Sequence, residues 1–140
     1  MKRSPLNPII TRESIPRIEP DLVDVSSVFN PGAVKFHNSY LLLLRVQNRS
    51  RETFLLTARS VNGTLFDIDH HAVELARIAS VTDKLYHVYD PRITELDGRY
   101  YIMVAVDTDR GCVLGLVRTD DFEAFEFMGI VSEPENRNGV

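Results

Sequence analysis

Two short segments of the chain place a polar side chain directly before a proline, 60 residues apart. Asn30 precedes Pro31, and Asp90 precedes Pro91. The carboxyl group of an aspartate can serve as a general acid or base. An amide can both donate and accept hydrogen bonds. The sequence therefore offers Asp90 as an acid–base candidate and Asn30 as a polar binding candidate.

Arginines lie near these two candidates. Of the 16 basic residues, 13 are Arg and three are Lys. The planar guanidinium group holds carboxylates and phosphates through paired hydrogen bonds. Arg45 ends a long apolar run, and Arg51 belongs to the polar segment 48–51 that follows; another polar segment, 135–139, lies near the end of the chain. The bias towards Arg assigns no function by itself, but it makes the positions of these arginines worth following.

The same two candidates also have a purely structural interpretation. Asn and Asp side chains commonly cap turns, particularly where a proline follows. On the pattern alone Asn30 and Asp90 fit such caps at least as well as they fit a shared site. Both interpretations remain open at this point.

Composition excludes several classes of protein. The 140 residues are 44% hydrophobic and 26% charged, with a net charge of -4, which predicts one folded domain and not a disordered chain. No apolar run approaches the roughly 20 residues of a membrane helix, and the N-terminus lacks an apolar signal segment. We therefore expect a cytoplasmic protein with no membrane partner. Its mild acidity argues against nucleic acid as a partner.

The chain after residue 24 has the pattern of a β protein. Short runs rich in Val, Ile, Leu, Tyr and Phe alternate with turn-forming pairs such as Asn62-Gly63 and Asp97-Gly98. Residues 1–24 contain four prolines and predict an irregular lead-in. A weak helix-like pattern covers about 73–85. The all-β class is favoured.

An internal repeat gives the most information about the architecture. Residues 29–40 align without gaps with residues 89–100, and each unit predicts four strands. Four-stranded repeats are typical of β-propeller blades. Asn30 and Asp90 would then both face a central channel from the innermost strands. A β-sandwich with chance self-similarity is the alternative.

The motifs, in this order and spacing, resemble glycoside hydrolase family 130, the β-mannoside phosphorylases and a few related mannosidases. The matching motifs are Asn30-Pro31-Gly32, Leu44-Arg45-Val46, Ser50-Arg51, Ala58-Arg59-Ser60, Asn62-Gly63 with Phe66, Tyr89-Asp90-Pro91-Arg92 and Asn136-Arg137-Asn138. The run 46–53 is most similar to the 4-O-β-D-mannosyl-D-glucose phosphorylase branch of the family.

The resemblance implies a five-bladed β-propeller. Residues 25–140 would supply its first two blades and the start of the third. We therefore interpret the chain as an N-terminal part of a longer protein and expect it to be inactive alone. The implied reaction is inverting phosphorolysis of 4-O-β-D-mannosyl-D-glucose, which gives α-D-mannose 1-phosphate and D-glucose. The implied partners are a small oligosaccharide and inorganic phosphate as co-substrate, with no metal and no other cofactor.

The resemblance also assigns roles to individual residues. Asp90 matches the general acid, whose proton passes through a mannose hydroxyl. Asn30 and Arg45 match residues of the mannose subsite. The phosphate-binding positions are matched by Arg51, Arg137 and Asn138. A Lys and a His that also bind phosphate in the family would follow Val140.

The implied chemistry agrees with the residue types. An inverting hydrolase needs one carboxyl group as acid and another to activate water. Phosphate is already an anionic nucleophile, so one carboxyl group suffices. Asp90 must keep its proton near neutral pH, which calls for burial or for a covering sugar. We therefore expect Arg92 to point away from Asp90 and into a structural pair.

Alternatives of other kinds remain. The parent protein could be a β-mannosidase that uses water, or a sugar-binding propeller without catalysis, and the lead-in could support a homo-oligomer. A metal site in residues 67–71 is a weak alternative, because consecutive histidines in a turn are more often solvated. His87 is interpreted as a packed or surface residue that could also reach the site. Cys112 is interpreted as a small buried side chain, and as a lone cysteine it excludes an internal disulfide.

Overall fold

The chain folds almost entirely into β-strands in the computed structural model, which describes residues 5–80 and 84–135. Its described elements are the 3₁₀-helix Arg12–Ser14 and strands β1 (Val25–Phe36), β2 (Ser39–Asn48), β3 (Thr53–Ser60), β4 (Asp67–Ile68) and β5 (Leu75–Ala76), then the 3₁₀-helix Ile78–Ser80 and strands β6 (Leu85–Leu96), β7 (Arg99–Thr108), β8 (Gly111–Thr119) and β9 (Phe125–Ile130). The all-β prediction is confirmed. Within the described residues, no helix has the length and apolar character that crossing a membrane requires.

The strands form two sheets built on the same plan. The first sheet has the order β1-β2-β3-β4, and the second has the order β6-β7-β8-β9 with β5 added parallel to β9. Strands β1 and β6 begin 60 residues apart, as do β2 and β7. The repeat of four strands predicted from the sequence is therefore confirmed.

The helix-like pattern over 73–85 corresponds, in the part that the structure describes, to the short strand β5 followed by a single 3₁₀ turn at Ile78–Ser80. Leu75 pairs with Phe125, and Ala76 pairs with Glu126, as a short parallel edge strand. The pattern there is weak, and the backbone groups exposed along β9 offer a better set of hydrogen bonds than an isolated helical turn.

Tight turns connect the first two strands of each unit. Asp97 and Gly98 both have left-handed backbone, with φ of 52° and 74°, as the turn between β6 and β7 requires. His37 has the same φ of 52° at the equivalent place between β1 and β2. The turn pairs read from the sequence therefore end strands where expected.

Strand β2 buries both of its faces, which explains its continuous aliphatic run. Leu41 and Leu43 join the larger core cluster together with residues of the second sheet. Leu44 and Val46 point to the other side, into a second cluster that includes residues of the lead-in. The lead-in thus covers the outer face of the first sheet.

The two sheets approach most closely where β1 faces β6. A Cβ atom added at Gly32 would lie 3.0 Å from the Pro91 carbonyl oxygen and 3.0 Å from the Ile93 side chain. Any side chain at this position would force its neighbours on β6 to move by a few tenths of an ångström. The close contact brings the two proline-containing segments, one from each unit, beside one another.

Phe122 is the aromatic centre of the larger core. Its side chain is 1% exposed. The ring centroid lies 4.7 Å from that of Tyr100 in the second sheet. Phe36, in the first sheet, lies 5.1 Å away in an edge-to-face arrangement. The ring therefore packs against both sheets at once.

We expect Phe122→Ala to lower the free energy of unfolding by about 3–5 kcal/mol, because it leaves a cavity between the sheets. Urea denaturation of the full-length protein measures this change. Leu65→Ala is the matched control. The Leu65 side chain is 77% exposed, so its truncation should change the free energy by less than about 0.5 kcal/mol. Equal effects of the two variants would contradict this description of the core.

Candidate functional site

Both proline-containing segments form bulges in their strands. The pairing of β1 with β2 shifts register between Phe29 and Gly32. The pairing of β6 with β7 shifts at the equivalent place, between Tyr89 and Arg92. Asp90 has a left-handed φ of 52° within its bulge. Bulges of this kind redirect side chains out of the regular ladder, and here they turn Asp90 towards the first sheet.

The carboxyl group of Asp90 forms an ion pair with Arg45 of the first sheet. Nη1 of Arg45 donates to Oδ1 of Asp90 over 2.7 Å. The two side chains are 19% and 25% exposed, so the pair is largely removed from solvent. The two residues predicted to share a site therefore come into direct contact. The family resemblance assigned Arg45 to the mannose subsite and did not predict its ion pair with Asp90.

Two aromatic rings hold the guanidinium of Arg45 between them. Its Cζ lies 4.4 Å from the ring centroid of Phe29 and 4.5 Å from that of Tyr89. Both distances are typical of cation–π contacts. Phe29 and Tyr89 hold equivalent positions in the two units, so each sheet contributes one ring.

Asn30 contacts the second sheet through Arg92. With its amide oxygen facing the guanidinium, Asn30 accepts hydrogen bonds from both Nη atoms of Arg92 at 3.1 Å. Nη1 of Arg92 also donates to the Pro91 carbonyl oxygen over 3.1 Å. These contacts agree with the expectation that Arg92 forms a structural pair. Asn30 thus lies beside the bulge of Asp90, although its amide oxygen is engaged.

The ion pair opens onto a polar cavity of about 540 Å³. Its lining consists of side chains from both sheets and from the loop after β2, namely Arg45, Gln47, Arg51, Thr53, His87, Tyr89, Asp90 and Asp107. The predicted general acid and one predicted phosphate ligand, Arg51, therefore border the same space. His87 also lines this cavity, whereas the sequence favoured a packed or surface role for it.

The loop that carries Arg51 is fixed by Asn48, which is 8% exposed. The side-chain amide of Asn48 donates to the Asp21 carbonyl oxygen over 3.0 Å and to the Glu52 carboxylate over 2.6 Å. Its side-chain oxygen accepts from the Glu52 backbone N–H over 3.0 Å. The loop is thereby tied to the lead-in, and Arg51 adopts a left-handed φ of 68°.

The three arginines near this loop differ in their partners. Arg45 is paired with Asp90. Arg49 is paired with Asp24 on the surface, over 2.6 Å. Within residues 5–80 and 84–135, the structure gives Arg51 no acidic partner. Arg51 is therefore the cation of this group that is available to an anion from solution.

The structure leaves part of the predicted site undescribed. Arg137 and Asn138, the other two predicted phosphate ligands, lie outside the described residues.

Three residues of the site were missed as functional candidates in the sequence. Tyr89 and Asp107 line the cavity, and Phe29 packs on the guanidinium of Arg45. The Tyr89 hydroxyl donates to Oδ1 of Asp107 over 2.8 Å and lies 3.4 Å from Sγ of Cys112. The signal was present in the repeat, because an aromatic residue precedes the polar candidate in both units.

The Tyr89 phenol keeps its proton in this environment. Burial raises its pKa well above its usual range, and the hydrogen bonds with Cys112 and Asp107 act in the same direction. The hydroxyl therefore acts as a hydrogen-bond donor. Cys112 itself is 3% exposed, which confirms the prediction that it is a small buried side chain.

The alternative metal site at 67–71 receives no support from the geometry. The Asp69 carboxylate accepts hydrogen bonds from Thr57 and, over 3.1 Å, from Arg59. Nowhere in the described part of the chain do three or more His, Cys, Asp or Glu side chains gather as metal ligands would.

Comparison with known proteins gives a consistent result. The family profile described as beta-1,4-mannooligosaccharide phosphorylase, of glycoside hydrolase family 130, matches residues 1–137. A beta-1,4-mannooligosaccharide phosphorylase from Ruminococcus albus is 25% identical to this chain, over 96% of the chain and 40% of the relative. The chain therefore spans well under half the length of this curated relative.

Two solved structures share the fold. The β-1,2-mannobiose phosphorylase from Listeria innocua superposes with a TM-score of 0.78 at 20% identity, over 95% of this chain and 52% of the other. A second structure comes from work on glycoside hydrolases of the family that target β-1,2-mannosidic linkages in Candida mannan. It superposes with a TM-score of 0.73 at 18% identity, over 91% of this chain and 40% of the other. With a family profile that matches nearly its whole length, the chain belongs to glycoside hydrolase family 130.

Proposed function

We propose that the protein containing this chain is an inverting β-mannoside phosphorylase. The observation that carries the proposal is the cavity bordered by Asp90 and by Arg51, which has no acidic partner among residues 5–80 and 84–135. The names of the relatives, which act on β-1,4- and β-1,2-linked mannosides, support this substrate class. Within it we propose 4-O-β-D-mannosyl-D-glucose as the substrate, on the resemblance of residues 46–53.

The proposed reaction needs one proton and one nucleophile. A phosphate oxygen attacks the anomeric carbon of mannose from the face opposite the leaving oxygen, and the bond between that carbon and the glycosidic oxygen breaks. Asp90 supplies a proton to the leaving oxygen through a mannose hydroxyl, so glucose leaves neutral. The product is α-D-mannose 1-phosphate. Because phosphate is already anionic, no second carboxyl group has to activate it.

To act in this way, Asp90 has to present a protonated Oδ2 to the sugar while its Oδ1 stays bound to Arg45. In the structure its Oδ1 is held by Arg45, while no hydrogen bond from the described residues reaches Oδ2. A mannose hydroxyl that approaches Oδ2 could accept the proton there while Arg45 keeps the carboxyl group oriented. We propose that Asn30 and Arg45 bind the same mannose, as the resemblance implies, although Asn30 is not among the residues that line the cavity.

The phosphate would lie beside Arg51. Charge-assisted hydrogen bonds from several donors are needed to replace the hydration of this anion. We propose Arg137 and Asn138 as further donors, as the resemblance implies. The remaining ligands would come from other parts of the full-length protein, which we propose is a five-bladed propeller. We propose further that it is cytoplasmic and uses no cofactor beyond phosphate.

A second candidate function is hydrolysis. The relative with a TM-score of 0.73 comes from work on hydrolases within the family. The two candidates differ in their products. Incubation of the full-length protein with mannosylglucose, with and without phosphate, distinguishes them. Phosphate-dependent release of mannose 1-phosphate supports the proposal, and free mannose formed at the same rate without phosphate refutes it.

We expect Asp90→Asn to lower kcat for phosphorolysis by at least about 100-fold, because the amide cannot donate the proton that the leaving oxygen needs. Asp97→Asn is the matched control. Asp97 has the same φ of 52° but lies in an exposed turn far from the cavity lining. The rate of the control should stay within about twofold of the parent. A fully active Asp90→Asn variant would remove Asp90 from the mechanism.

We expect Arg51→Ala to raise KM for phosphate about 10- to 100-fold, the range of one charged hydrogen bond. Its kcat at saturating phosphate should change much less. Arg49→Ala is the control, since Arg49 forms only an exposed pair with Asp24. Initial rates measured across phosphate concentrations give both constants. An unchanged KM in Arg51→Ala would place the phosphate elsewhere.

A further inference from the structure

The position of Arg45 depends on the two rings that enclose it. Besides the ion pair through Nη1, its Nε is buried and has no hydrogen-bond partner among the described residues. A guanidinium with an unused donor is not fixed by a full set of hydrogen bonds. Contact with the ring faces of Phe29 and Tyr89 therefore determines where it lies.

The two rings are held in different ways. Phe29 lies directly opposite Arg45 in the pairing of β1 with β2, so it contacts Arg45 as a cross-strand neighbour. Tyr89 comes from the other sheet, and its own cross-strand partner is Ala105. A methyl group offers little surface to fix a large ring. The Tyr89 ring consequently needs another anchor.

Asp107 supplies that anchor. It lies on β7 opposite His87, which places its side chain diagonally across from Tyr89 on the same face of the sheet. Its Oδ1 accepts the Tyr89 hydroxyl proton over 2.8 Å. This contact holds the far end of the ring, while the backbone holds the near end.

The first unit lacks both members of this pair. Phe29 stands at the place of Tyr89 and has no hydroxyl, and Gln47 stands at the place of Asp107. The hydroxyl–carboxylate pair therefore occurs in the unit that also carries Asp90. An element required only for folding would be expected in both units, since they share the same strand plan.

We propose that Asp107 is a positioning residue that acts on Asp90 through Tyr89 and Arg45. Asp107 fixes the Tyr89 ring, the ring fixes the guanidinium of Arg45, and Arg45 fixes the Asp90 carboxyl group. No atom of Asp107 needs to touch the substrate. The expected effect of Asp107 on kcat rests on the proposed function. Its expected effect on the position of Arg45 does not.

Three variants of the full-length protein test the proposal. Asp107→Ala removes the acceptor, Tyr89→Phe removes the donor, and Asp107→Asn keeps an oxygen that can accept. Asp109→Ala, an exposed aspartate two residues further along, is the control. We expect Asp107→Ala and Tyr89→Phe each to lower kcat about three- to tenfold, as one lost hydrogen bond would. KM for phosphate should change less than about twofold, because Arg51 does not take part in this chain of contacts.

The double variant, with Tyr89→Phe and Asp107→Ala combined, provides the sharpest kinetic result. It should lower kcat no further than either single change, because each change alone already breaks the hydrogen bond between the two residues. Asp107→Asn should recover most of the rate lost in Asp107→Ala. If Asp107 bound the sugar directly, Asp107→Asn would lose as much as Asp107→Ala and Tyr89→Phe would lose nothing. A melting temperature that falls while kcat stays constant would show a merely structural role. Either result overturns the proposal.

A crystal structure of Tyr89→Phe or Asp107→Ala gives the readout that does not depend on activity. We expect the distance between Nη1 of Arg45 and Oδ1 of Asp90 to lengthen from 2.7 Å beyond hydrogen-bond range, about 3.5 Å. Unchanged coordinates of Arg45 in both variants would refute the positioning role. If the unmodified full-length protein showed no phosphorolysis, the proposed function would be wrong. The crystal structures of the two variants would still decide whether Asp107 positions Arg45.

Discussion

The guanidinium of Arg45 joins the two sheets at the centre of the candidate site. It receives one aromatic ring from each sheet and forms an ion pair with Asp90, 2.7 Å away. All of these contacts require the sheets to keep one separation and one relative rotation. The close approach of Gly32 to Pro91 and the packing of Phe122 against both sheets hold that arrangement. The core of the protein thus sets the geometry of this cation and of the carboxyl group beside it.

The site arises from differences between two copies of one structural unit. Both units have a bulge at the same place, and both present a polar residue before proline. The first unit supplies an amide at Asn30 and a cation at Arg45. The second supplies a carboxyl group at Asp90 and, where the first has Arg45, the small buried residue Ala105. Because the cation comes from one unit and the acid from the other, neither unit could form the ion pair alone.

Much of this architecture could be predicted from the sequence, because it depends on local patterns. The strands, the turn at Asp97-Gly98 and the repeat all follow from side-chain alternation and turn chemistry. From the sequence, Asp90 and Arg45 could be assigned to a shared site, but their direct contact could not be predicted. The bulge at Asp90 changes the direction of its side chain, and side-chain alternation along a strand does not indicate such a change. The hydrogen bond from Tyr89 to Asp107 could not be predicted either, because it is a diagonal contact between two strands whose pairing register the sequence does not give.

The cavity contains polar and charged groups that contribute little to the stability of the protein. Nε of Arg45 is a buried donor that finds no partner in the described part of the chain, and such a donor costs about 1–3 kcal/mol. A largely desolvated ion pair returns little net stability. Filling the same space with apolar side chains would satisfy the core better. The position between Phe29 and Tyr89 suits a planar cation. A lysine could neither lie flat between two rings nor orient a carboxyl group through a rigid fork. Under the proposed function, the unsatisfied nitrogen is the stability cost of placing a planar cation beside the proposed acid.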